Sequence, residues 1–175
     1  MKRWVALGAL SLLVVLPRAA SAQDTEWNRY TLEDLGGVFV RMDVAEECQP
    51  AGVSAADFEA DVSLALIESA VGVLTMEEML AHPAHPELRV TIDCAAGGNA
   101  NGAAIAYSVE LRVQQAAQML RDTQITLPEA VTWFTSNVGV TSGGAASDAI
   151  GSTLMEQVEA FSTAWSEINR DAGGI

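Results

Sequence analysis

The stretch "PELRVTIDC" (residues 86–94) alternates without a break. Leu88, Val90 and Ile92 fall on one phase, Arg89, Thr91 and Asp93 on the other. A period of two is that of a half-buried strand. The stretch ends on Cys94, one of two cysteines in the chain. What lies on either side of it decides the fold.

Upstream, "GVFVRMDVA" (37–45) alternates in the same way. Val38, Val40, Met42 and Val44 share one phase; Phe39, Arg41 and Asp43 share the other. Between the two strands, "GVSAADFEADVSLALIESAVGVL" (52–74) changes period. Phe58, Val62, Leu66, Ala70 and Leu74 recur at helical spacing, with Asp57, Glu59, Asp61 and Glu68 mostly off that stripe. Ser54 with Asp57, and Thr75 with Glu78, are spaced as capping boxes. A helix is therefore expected from Ser54, with a further helical turn over "TMEEML" (75–80). A strand, a helix and a strand in this order fit a right-handed parallel crossover.

Downstream, "AAGGNANG" (95–102) is a flexible turn. "AAIAYSVELRVQQAAQML" (103–120) then places Ile105, Tyr107, Val109, Leu111 and Val113 on one face of a long third strand. Its tail, "QQAAQML", consists of good helix formers and leaves the far end open. After "RDTQITLPE" (121–129), the run "AVTWFTSNVGV" (130–140) predicts a fourth strand. The last helix starts near Ser147 and Asp148. Ile150, Leu154, Val158, Phe161, Trp165 and Ile168 form its apolar stripe, and it ends near Asn169. The order is β-α-β-β-β-α. It predicts an α+β domain: a mixed four-stranded sheet with two helices packed on one face.

The cysteines bear on the strand order. Cys48 follows the first strand and Cys94 closes the second. Adjacent parallel strands bring those ends together, as a disulfide requires. An even cysteine count in an exported chain favours the bridge over two thiols.

Export is expected from the first residues, "MKRWVALGALSLLVVLPRAASAQ". Lys2 and Arg3 precede an apolar run from Trp4 to Leu16, and Ala20-Ser21-Ala22 has the A-x-A cleavage pattern. The run is too short and wrongly flanked for a membrane span. Residues 1–22 are read as a signal peptide, 23–36 as an N-terminal arm, 37–169 as one α+β domain and 170–175 as a frayed tail. Cleavage after Ala22 leaves a chain for the periplasm or the medium. It removes Lys2, Arg3 and Arg18, changing the formal net charge from −14 to −17 and leaving no lysine. Such acidity disfavours nucleic acid and anionic lipid as partners.

Few residues look chemical. His82 and His85 are three apart, with Glu77, Glu78 and Glu87 nearby, and are the candidate metal ligands. Pro83 and Pro86 forbid a regular helix there and push each histidine toward extended geometry. The pattern matches no ligand signature, and a stiff connector into the second strand is the simpler reading. There is no G-x-S-x-G elbow, and "GGNANG" lacks the Lys-Ser/Thr of a P-loop. No catalytic residue and no cofactor are assigned. Arg41, Asp43, Arg89, Asp93, Glu110 and Arg112 all fall opposite the apolar phase. They make either a solvated face with charge ladders or a partner-docking surface.

The succession "GVFVRMDV", "PELRVTIDC", "AYSVELRVQQ", "TWFTSNVGV" and "AFSTAWSEIN" resembles a family of small exported bacterial proteins of unassigned function, over roughly residues 36–169. In element order the chain is also similar to the TolB N-terminal domain and to LptE-type envelope lipoproteins, an analogy of layout. The resemblance implies a non-enzymatic role in envelope assembly or interaction and carries over no catalytic residue. Unlike those lipoproteins, the chain has no cysteine after its apolar leader to acylate. The alternative is a small-ligand or metal binder using the 77–87 loop.

Overall fold

The structure, a computed structural model, describes residues 24–97 and 104–170. The leader and the tail beyond Arg170 lie outside the described residues, as does most of the turn between the second and third strands.

Strands β1 (Phe39–Val44), β2 (Glu87–Ala96), β3 (Ala104–Gln118) and β4 (Thr126–Ser142) form one sheet in the order β1-β2-β3-β4. β1 pairs with β2 in parallel, and the other two pairs are antiparallel. The crossover from β1 to β2 carries α2 (Ala55–Glu68) and α3 (Met76–Ala81). A short helix α1 (Glu26–Arg29) precedes β1, and α4 (Ala146–Asn169) closes the chain. The expected α+β architecture is therefore present.

Both long helices cover the same face. Phe58, Val62 and Leu66 of α2 are buried with Ile150, Leu154, Val158, Phe161 and Trp165 of α4. The strands meet them with Val40, Leu88, Val90, Ile92, Val109, Leu111, Val113 and Trp133, all buried. Trp133 meets Phe161 edge-on with ring centres 5.3 Å apart.

The helix after β1 is shorter than its stripe. It stops at Glu68, and Ala70 takes a left-handed φ of 60°. Ala70 and Leu74 thus leave the helical stripe. The chain turns there to lay Val73 beside Val38, with hydrogen bonds from Val38 N to Gly72 O and from Leu74 N to Val38 O. A β-carbon on Gly72 would lie 2.4 Å from Gly36 O, so only glycine allows this approach. Ser54 caps α2 as expected, accepting from Asp57 N at 3.3 Å. The reciprocal capping box forms at Thr75 and Glu78, where Thr75 N donates to the Glu78 carboxylate at 2.7 Å.

The tail "QQAAQML" continues β3 to Gln118 rather than forming a helix, and β4 starts at Thr126 rather than 130. Pairing between strands overrides helix propensity here. Register shifts in this half leave Thr132 opposite no residue of β3 and place Pro128 in an irregular step.

The N-terminal segment contributes to the core. Leu32 is fully buried and Leu35 nearly so. Arg29 clasps Asp24 in a bidentate pair at 2.6 and 2.5 Å and also reaches Glu167 of α4. Trp133 Nε1 donates to Asp24 at 3.0 Å, Asn28 Nδ2 to Thr132 O at 2.8 Å, and Asn169 Nδ2 to Leu32 O at 3.2 Å.

Candidate functional site: the uncovered sheet face

α2 and α4 pack on one face of the sheet, and neither long helix covers the other face. Arg41, Asp43, Arg89, Asp93, Glu110 and Arg112 all stand on it, as their alternation requires. The register adds an arrangement that the linear sequence does not show. Arg41 lies directly opposite Arg89, and Arg89 directly opposite Arg112. Three arginines thus form one row across three strands.

Like charges placed opposite one another are unfavourable. Carboxylates around the row offset this. Arg89 Nε donates to Asp43 at 2.5 Å, and Arg112 to Glu110 at 2.6 Å. Arg41 stands 3.7 Å from Asp43 and 3.9 Å from Glu87, and Arg89 stands 3.9 Å from Glu87. Burial pushes the Glu87 carboxyl above its ordinary range, against the pull of Arg41 and Arg89. Asp93 sits apart from this cluster, opposite Ser108.

The same face holds polar atoms without a partner in the structure: Thr91 Oγ1, Arg112 Nε and Gln114 Oε1. Such groups are uncommon in native folds because each costs free energy when buried unpaired. Further along, Val138 and Val140 of β4 continue the face beyond the charges and are 79% and 73% exposed. With Ala95 and Ala106 they line a shallow apolar depression. The sequence reading missed these valines, because alternation in β4 fixes two faces without saying which one is covered.

The cysteines lie where parallel pairing puts them. Cys48, in a 3-10 turn after β1, is bridged to Cys94 of β2 with Cα atoms 5.1 Å apart. The two histidines differ in backbone: His82 is extended, with φ −77° and ψ 134°. His82 Nδ1 accepts from Ala84 N at 3.1 Å, within its own turn, and His85 has a left-handed φ of 44°. Among the described residues no three His, Cys, Asp or Glu side chains are placed to hold a metal ion. No described helix is long and apolar enough to cross a membrane.

Comparison with protein-family models, with curated proteins and with solved structures found no match.

Proposed function

We propose that this protein is an exported, non-enzymatic binding domain that docks an envelope partner on its uncovered sheet face. The observation that carries the reading is the Arg41–Arg89–Arg112 row, whose Arg41 end is half exposed. A segment rich in carboxylate or carbonyl oxygens would pair with the half-exposed Arg41 guanidinium, and Val138 and Val140 would give it apolar contact. The leader expected at residues 1–22 and the disulfide support an exported setting.

The test is photocrosslinking in the exporting cell, with the reactive side chain placed at Arg41, whose side chain is half exposed. An envelope protein captured there, and lost when Arg112→Gln is added, supports the reading. Capture of nothing, with no envelope phenotype on deletion, refutes it. Export has its own check: the N-terminus of the processed protein should be Gln23.

A further inference from the structure

The two edges of the sheet are treated differently. The β1 side is bridged at its start, where Val38 pairs with Val73 of the Val71–Leu74 segment. β4 is the last strand in the order, and no described strand pairs with its outer side.

β4 itself divides in two. Its first half has the usual defences of an edge: a proline, a charge at Glu129, two register shifts and cover from Asn28 at Thr132. Its second half, from Trp133 to Ser142, pairs with Val113 to Ala104 in unbroken register. It contains no proline and no charged residue. A regular, uncharged outer strand of this kind is a template for another strand.

We infer that this half of β4 pairs antiparallel with the same strand of a second copy, joining two sheets into one through a two-fold interface. Self-complementarity favours a second copy. The chain carries a formal charge of −14, so most of its surface repels its own kind, whereas residues 130–147 carry no charge. A two-fold axis at Asn137 sets Phe134 opposite Val140 of the second copy, on the uncovered face. An aromatic facing a β-branched residue is a favourable cross-strand pair. Ser136 then faces Val138 of the second copy. The interface shares Val138 and Val140 with the proposed partner surface, but self-association of the purified protein is read without a partner and so tests it separately.

Sedimentation equilibrium of the purified protein is the test. A reversible dimer is expected, tightening as salt rises and screens the two acidic copies. Val138→Glu and Val138→Lys should each weaken it about tenfold or more while leaving the circular dichroism spectrum, and the melting temperature at concentrations where the parent is monomeric, unchanged. Ser136→Cys, Asn137→Cys or Val138→Cys should form disulfide-linked dimers, whereas Glu159→Cys on exposed α4 should not. Monomer at all concentrations overturns the inference. So does a dimer that survives both Val138 variants, or one that responds only to the sign of the new charge.

Discussion

The Tyr107 ring lies across Gly139 of the neighbouring strand, closely enough that a β-carbon on Gly139 would meet its Cζ and Oη at 2.4 Å. The Tyr107 hydroxyl continues to Thr153 of α4, 3.1 Å away. Glycine weakens a strand interior. Here the aromatic fills the space that its missing side chain leaves, and so ties β3, β4 and α4 together.

Gly139→Ala should therefore destabilise the fold by about 1–3 kcal/mol, although alanine is the better strand residue, because the ring must shift and give up its place beside Thr153. Tyr107→Phe should cost about 1 kcal/mol through the lost hydrogen bond. Urea denaturation measures both. An alanine variant as stable as the parent would show that the ring moves aside freely.

The Cys48–Cys94 bridge closes an interval of 46 residues that contains the whole crossover. In the chain-entropy account its loss costs about 4 kcal/mol. Cys48→Ser/Cys94→Ser should lower the melting temperature as much as reduction of the parent does. Thiol titration of denatured, unreduced protein should find no free thiol.

Leu32 belongs to a segment that reads as a polar arm, yet it is fully buried. Leu32→Ala should cost about 2–5 kcal/mol, as much as Leu154→Ala in α4. A loss under about 0.5 kcal/mol, typical of surface sites, would show that the segment is detachable.

Two carboxylates should give stability opposite slopes with pH. The Arg29 hydrogen bonds hold Asp24 below its ordinary value of 3.8, with the Trp133 indole adding to this against partial burial. Its contribution is present above about pH 3.8 and is lost as pH falls through the lowered value. Asp24→Asn should flatten that acid limb. Glu87 is raised above 4.5 by burial, so its ionised form costs the folded state. Stability attributable to Glu87 falls as pH rises from 4.5 through the raised value, and Glu87→Gln should abolish that fall. Denaturation midpoints across pH 3 to 7 check both signs. A parent slope retained in either variant would refute that assignment.

Much of the fold was legible because two periods differ. The alternation in 37–45 and 86–94 against the helical stripes at Phe58–Leu66 and Ile150–Ile168 separates strand from helix. Where partners rather than local preference decide, the reading fell short. Gln114 to Gln118 prefer helix but are held in β3 by β4, and Ala70 leaves its helix because the Gly36–Gly72 contact draws the chain onto β1. The bond from the Trp133 indole to Asp24 spans 109 residues, and no local pattern encodes it.

The sequence by itself determined the order of the strands and long helices, the polar and apolar phases of the first three strands and the cysteine pair that a parallel crossover would bridge. These follow from nearest-neighbour chemistry and side-chain period. Tertiary structure alone decided which residues stand opposite one another. Register aligns Arg41, Arg89 and Arg112 into a row, seats Tyr107 over Gly139 and leaves half of β4 open. Each of those depends on how far one strand slides along another, and that distance is set by the packed core as a whole.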